Sequence, residues 1–277
     1  MSKYKLIALD LDGTLLNDQK EVSKRNREAL KAAHEQGVEI MFSTGRYYDM
    51  IPDAAKELDF VNYGIFINGA EVYDIKNKKV LYSKLMDLDT CLEALEYLKS
   101  MDVIYDAYVD NKGYMSRNVF EKIYDERYLN STYHRENIEQ YRTVVPDLFE
   151  FLRETRRDLQ KFQFFSPQRE KIKEGSEYLR SHYPQFTVSS SLYFNTEVNG
   201  TDVNKGNGLK ALAEILGIEI SETMAFGDGG NDISLIKAAG FGVAMENGID
   251  ELKSIASFVT LSNNEDGVAY AIEKFVL

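Results

Sequence analysis

Short apolar runs alternate with helical stretches at both ends of the chain, and this alternation constrains the fold more than any other feature. Residues 5–10 read as a strand. Residues 24–36, "KRNREALKAAHEQ", carry helical spacing, with Ser23 placed as N-cap and Gly37 as the C-terminal stop. "VEIMFS" (38–43) and "YGIFIN" (63–68) read as further strands, with a helix between them reaching about Leu58. The alternation resumes with a helix at 205–217, a strand at 222–228, a helix at 231–240 and a strand at 241–245. A helix at 248–256, the strand "SFVTL" and a final helix follow. Strands spaced by helices predict an α/β fold, a Rossmann-like parallel sheet with helices on both faces.

Near residue 71 the character changes. "EVYDIKNKKVLY" predicts a hairpin, and from about 84 to 192 strands and helices are unevenly mixed. "TCLEALEYLKSM" reads as a helix with a capping box (Thr90, Glu93), and "VIYDAYVDNKGYMS" as a hairpin. Helices are expected at about 118–130, 146–155 and 167–182, and strands at "LQKFQFFS" and "FTVSSSLYFN". The simplest organisation is a core made from residues 1–82 and 196–277, with an α+β domain inserted at 83–195. A chain of 277 residues is long enough for two such cores.

Charge and cysteine content narrow the function. A net charge of −12 repels nucleic-acid backbone and anionic membranes, so neither is expected as a partner. Cys91 is the only cysteine, which rules out an intrachain disulfide and a four-cysteine zinc site. No signal-like or membrane-spanning run is apparent, so a reducing, cytoplasmic location and a monomer or weak dimer are expected.

The chemistry gathers at four points. "LIALDLDGTLL" (6–16) ends an apolar run with Asp10 and Asp12. Burying carboxylates is costly without a positive partner, so the rest of the chain must supply one. Thr44-Gly45-Arg46, the helix start at Lys205, and Gly227-Asp228-Gly229-Gly230-Asn231-Asp232 also end strands or open helices. A parallel sheet collects ligands at the carboxyl ends of its strands, so one fold can bring all four to one edge.

Together, "DLDGT", "STGR", Lys205 in "VNKGNGL" and "GDGGND" resemble the four motifs of the haloacid dehalogenase (HAD) superfamily of phosphotransferases. The pattern is most similar to its Cof-type sugar-phosphate phosphatases, which carry an α/β cap inserted after the third core strand. One departure is "NGTDVNKG", where the family more often has a proline-containing run. The resemblance implies Asp10 as nucleophile, forming an aspartyl-phosphate, and Asp12 as general acid and then base. It implies Lys205 as the positive partner and Thr44 as a further member of the catalytic set. Phosphate contacts are expected from Asp10, Leu11, Thr44, Gly45, Lys205 and Asn231. Mg²⁺ is expected on the Asp10 carboxylate, the Asp12 backbone carbonyl and Asp228, with Asp232 orienting metal waters or Lys205.

Other residues read more plainly. Arg46 is expected in a surface ion pair, and His34, His134 and His182 at the surface. Cys91 and the Tyr and Phe residues of 103–165 are expected in packing. Asn68 and Gly69 read equally as turn chemistry or as a phosphate or leaving-group contact. The hairpin tip 108–115 stays open between a tip aimed at the site and a plain tip. The expected activity is a Mg²⁺-dependent phosphatase of small phosphorylated metabolites, sugar phosphates first and phosphorylated cofactors such as pyridoxal or flavin phosphates next. A phosphomutase, or a protein that binds a phosphorylated ligand without turnover, is the alternative.

Overall fold

The structure, a computed structural model, describes residues 3–190 and 194–277, which fall into two compact units. One unit joins the residues up to Ser83 with Val203–Leu277, and the other is Lys84–Asp202. In chain order the strands are β1 (Leu6–Leu9), β2 (Glu39–Ser43), β3 (Tyr63–Phe66), β4 (Glu71–Asp74) and β5 (Lys79–Ser83). The second unit adds β6 (Ile104–Val109), β7 (Lys112–Ser116), β8 (Arg142–Val145), β9 (Lys161–Phe165), β10 (Phe186–Ser189) and β11 (Asn195–Gly200). β12 (Thr223–Gly227), β13 (Phe241–Ala244) and β14 (Phe258–Val259) complete the first.

The first unit is an α/β sheet of order β14-β13-β12-β1-β2-β3-β4-β5, parallel from β14 to β3 and antiparallel beyond. Every residue of β1 is buried, as a central parallel strand covered on both faces requires. Leu6, Ala8, Met41, Ile65 and Ala225 pack with Leu209 and Leu212 of helix Lys205–Leu216 and Leu235 of helix Ile233–Ala238. Each large aliphatic side chain so buried contributes about 1.5–3 kcal/mol. Helices Lys24–Glu35 and Gly267–Phe275 pair with each other, tied by Asn26, whose side-chain Oδ1 accepts from the Ala269 amide at 2.8 Å. The first helix starts as its sequence predicts: the Ser23 hydroxyl accepts from the Asn26 amide, and Gly37 beyond its end takes φ +88°.

Successive strands run outward from β1 through β2 to β3, then on its other side from β12 to β14. The order therefore reverses between β1 and β12, which places a ligand crevice at their carboxyl ends.

Local expectations fail where a specific residue intervenes. The helix expected up to Leu58 is only a 3₁₀ turn (Tyr48–Met50) and a four-residue helix (Asp53–Lys56), because Pro52 disfavours helical backbone at Ile51. The helix at 88–100 is capped by Asp87, whose carboxylate accepts from the Thr90 amide, so Thr90 sits in the first turn and is not the cap.

The second unit has a six-stranded sheet, β10-β11-β9-β6-β7-β8, antiparallel except for β7 with β8. One face, carrying Tyr105, Ala107, Phe162, Phe164 and Val198, packs with helices Leu88–Ser100, Leu148–Thr155 and Arg169–His182. Cys91 is buried in this packing. The strand expected over 186–195 ends at Ser189, and residues 191–193 lie outside the described residues. A strand that the sequence does not announce, β11, follows and pairs with both β9 and β10. Its pairing carries this unit to Asp202, past the boundary expected at 195. The helix expected at 118–130 is a short one (Arg117–Phe120) with a 3₁₀ turn, followed by an unanticipated helix, Thr132–Tyr141, and β8. Among the described residues, no helix is long and apolar enough to cross a membrane.

Candidate active site

Asp10 follows β1, and its amide donates to the Phe226 carbonyl of β12 at 3.1 Å, so its side chain emerges where the strand order reverses. Asp228 follows β12. Between them the chain turns at Gly13, whose φ of +82° suits glycine and where a Cβ would stand 2.4 Å from Asp228 Oδ2. Thr14, fully buried, donates its hydroxyl to Asp228 Oδ1 at 2.9 Å.

Lys205 is the cation the sequence calls for. It opens the helix Lys205–Leu216, capped by Asn204, and is fully buried, unlike an ordinary surface lysine. Its Nζ donates to Asp10 Oδ1 and Asp232 Oδ1, both at 2.6 Å. The other oxygen of Asp232 accepts from the amides of Asp228 and Gly229 at 3.1 and 2.9 Å, which fixes the loop.

One ammonium thus faces three carboxylates, for Asp10, Asp228 and Asp232 offer oxygens within 4.8 Å of one another. Burial and the charge of Asp232 push the Asp10 carboxyl up against the pull of Lys205. The same two causes push Asp228 up to about 6. For Lys205 burial works against the charge, but Asp10 and Asp232 outweigh it and hold the ammonium firmly protonated. Three carboxylates share one ammonium, and crowded hard oxygen donors of this kind fit a divalent cation, which would favour their ionised forms.

Asp12 does not turn its carboxylate into this cluster. Arg46 grips it with two hydrogen bonds, Nε to Oδ2 at 2.7 Å and Nη2 to Oδ1 at 3.0 Å, and Lys20 Nζ adds a third at 2.8 Å. Partial burial alone would push the Asp12 carboxyl up, but Arg46 and Lys20 outweigh it and hold it well below the usual carboxylate range. Arg46, expected in a surface pair, is instead largely enclosed, with 13% of its side chain exposed, because the Met50 carbonyl also holds it.

Thr44 and Gly45 lie on the loop after β2. The Thr44 hydroxyl accepts from the Arg46 amide at 3.2 Å, which leaves its own proton to donate elsewhere. Asn231 donates through Nδ2 to Asn68 Oδ1 at 3.3 Å, so Asn68 belongs to the same neighbourhood. Leu11 is fully buried, which leaves only its backbone to face a ligand.

Three further residues escape sequence reasoning. Lys20 has a faint signal as the first basic residue after "DLDGT", but its left-handed backbone (φ +63°), which turns it back, has none. Asn247 donates to the Gly13 carbonyl at 2.8 Å and Asn263 to the Leu16 carbonyl at 3.0 Å, both bracing the turn from more than 200 residues away. His34, expected at the surface, is half-buried and stacked on Phe60.

Carboxylates gathered around a buried lysine at the switch point of a parallel sheet make an α/β fold with a site suited to a cation and an anionic ligand. The chain belongs to the haloacid dehalogenase-like hydrolases, whose family profile matches residues 7–272. It is similar to the 5-amino-6-(5-phospho-D-ribitylamino)uracil phosphatase YwtE of Bacillus subtilis (strain 168), at 32% identity over 98% of each chain. Among solved structures, a haloacid dehalogenase-like hydrolase from B. subtilis superposes with a TM-score of 0.85 at 30% identity, covering 98% of this chain and 100% of that one. A HAD subclass IIB sugar phosphatase superposes with a TM-score of 0.79 at 25% identity, covering 98% of both. The chain is accordingly a phosphatase.

Proposed function

We propose that the chain is a Mg²⁺-dependent phosphatase of small polyhydroxylated phosphomonoesters, acting through an aspartyl-phosphate on Asp10. Sugar and sugar-alcohol phosphates come first, and phosphorylated cofactors next. The observation that carries this reading is the buried Lys205 ammonium, 2.6 Å from Asp10 and from Asp232, beside a third carboxylate. Binding alone needs no such nucleophile. The named activities of the ribityl-phosphate phosphatase and the sugar phosphatase support the substrate class.

The carboxylates of Asp10 and Asp228 and the carbonyl of Asp12 would hold the ion, which when bound offers positive charge to the phosphoryl oxygens. Lys205 holds Asp10 in place and lowers its repulsion from phosphate. In the first step a new bond forms from an Asp10 oxygen to phosphorus, the bond to the leaving alcohol breaks, and Asp12 gives that alcohol a proton. In the second, Asp12 takes a proton from water as the water attacks phosphorus, and free phosphate leaves Asp10. The Asp12 carboxylate held by Arg46 and Lys20 is in the form the second step requires. Its part in the first requires release from that grip. Thr44, the Gly45 amide, the Leu11 backbone and Asn231 donate to the phosphoryl oxygens, and Asp232 keeps Lys205 charged and aligned. The inserted unit, Lys84–Asp202, selects the alcohol. A cytoplasmic location accords with this substrate class.

The test is a phosphate-release screen over sugar phosphates, sugar-alcohol phosphates, nucleotides and phosphorylated cofactors, with and without Mg²⁺. Stoichiometric free phosphate from polyhydroxylated esters is expected. An isomerised sugar phosphate in place of free phosphate would make the enzyme a mutase, and silence across the panel would end the substrate proposal.

A further inference from the structure

The turn that ends β3 is the most strained backbone beside the site. Ile67, Asn68 and Gly69 have φ values of +53°, +60° and +104° in succession. The left-handed region suits glycine, is tolerated by asparagine, and is a genuine outlier for a β-branched isoleucine. Such strain persists only where the surroundings impose it.

Here three loops of the site do so. The Ile67 amide donates to the Arg46 carbonyl at 3.0 Å and the Asn68 amide to the Thr44 carbonyl at 3.1 Å, so the turn grips both flanks of Gly45. A Cβ on Gly45 would stand 2.9 Å from Asn68 Oδ1, and one on Gly69 would stand 2.3 Å from the Asn204 carbonyl, beside Lys205. Asn68, only 4% exposed, takes one Nδ2 proton of Asn231 on its Oδ1. The carboxamide of Asn68 is thus wedged between the loop of Thr44-Gly45 and the side chain of Asn231. An amide nitrogen has two protons, and fixing one fixes where the other points.

We propose that Asn68 is a positioning residue for phosphate binding. It aims the second amide proton of Asn231 at the phosphoryl oxygens and sets the distance of the Gly45 amide from them, and the left-handed turn exists to hold it there. This rests on the reading above, in which Asn231 and Gly45 contact phosphate. Asn68 itself need not touch the ligand.

The experiment is a double-mutant cycle of Asn68→Ala and Asn231→Ala in the full chain. It reads KM and kcat for p-nitrophenyl phosphate, inhibition by inorganic phosphate, and Tm. Asn68→Ala should raise KM and the inhibition constant of phosphate about tenfold, as a lost charge-assisted hydrogen bond does, with kcat within about threefold. In the Asn231→Ala background the same change should add less than about twofold to either constant, whereas a residue that merely supports the fold would add its full effect. Ile67→Gly, which empties the space of a fully buried side chain and leaves Asn68 in place, should lower Tm and still keep KM, because stability and phosphate positioning are then separate. Additive effects of Asn68→Ala and Asn231→Ala would overturn the proposal while leaving Asn231 a phosphate contact. An Asn231→Ala variant with unaltered phosphate inhibition would instead remove Asn231 from the phosphate site, and this inference with it.

Discussion

The centre around Lys205 and the polar face of the inserted sheet both bury ion pairs, yet only the second balances its charges. On the sheet of Lys84–Asp202, Arg142 Nε donates to Asp106 Oδ2 at 2.6 Å and Lys161 Nζ to Glu197 Oε1 at 2.8 Å. The two cations flank the Tyr108 ring, at 4.4 Å for Lys161 and 4.9 Å for Arg142, and Gln163 bridges Asp106 and the Tyr108 hydroxyl. Two positive charges meet two negative ones. Burial works against the Lys161 charge, but Glu197 and Tyr108 outweigh it and raise its pKa, so the pair stays ionised. Around Lys205 three carboxylates meet one ammonium, and two of them are pushed toward protonation. A balanced cluster needs no added charge, even though Asp106 Oδ1 is buried without a hydrogen-bond partner among the described residues. An unbalanced one suits a cation, and with a cation bound it would suit an anion.

The widest separation between the two clusters should come from Asp10→Asn. Removing the proposed nucleophile should cut turnover by about 10⁴-fold or more. Thermal unfolding should hold or move upward, since one of the repelling charges is gone. Near-wild-type hydrolysis by this variant would reject Asp10 as the nucleophile.

On the balanced side the order of effects reverses, and stability is what changes. Arg142→Met leaves the Asp106 carboxylate buried without its cation, which should cost about 3–5 kcal/mol in chemical denaturation of the inserted unit. Adding Asp106→Leu should recover much of that, because replacing a whole buried pair with apolar side chains is far cheaper than breaking it. Both variants should keep the Mg²⁺ dependence of the wild type. A double variant as unstable as the single one would show that this face does more than balance its own charges.

Metal addition probes the imbalance directly. Chelation should stop hydrolysis and Mg²⁺ should restore it. At a hundredfold excess over Kd the ion should add about 2.7 kcal/mol to the stability of the unit that binds it, read as a rise in Tm. Asp228→Ala should lose most of that rise, and the Arg142→Met/Asp106→Leu variant none of it. A wild type whose Tm ignores Mg²⁺ would mean that the carboxylates of 10, 228 and 232 are neutralised by other means.

The same contrast explains which parts of the molecule can be read from the chain. Central parallel strands are buried on both faces and so are apolar throughout. β1, β2 and β12 stand out for that reason, and the polar residues that end them mark the site. β11 is also buried at every position, yet its sequence is "NTEVNG". Its Glu197 and Asn199 are inside because Lys161 and the Gln160 carbonyl meet them there, a pairing across strands that no local pattern records. The Asp12–Arg46 grip is hidden likewise: 34 residues separate the partners, and only the pairing of β1 with β2 brings them together. Pro52 is the opposite case, a single visible residue that should have outweighed the helical pattern around it.

The smallest effect is the most specific. Thr14 fixes Asp228 through one hydrogen bond from a fully buried hydroxyl, and valine has nearly the same shape. Thr14→Val should therefore leave packing and the maximal rate almost unchanged while Asp228 loses the donor that orients it. A hydrogen bond to a charged acceptor contributes about 1.5 kcal/mol, so the Mg²⁺ concentration for half-maximal activity should rise about tenfold. An unaltered Mg²⁺ titration would show that Asp228 needs no orientation to hold the ion. A large fall in maximal rate at saturating Mg²⁺ would place Thr14 itself against the phosphoryl group and move the boundary of the site by one residue.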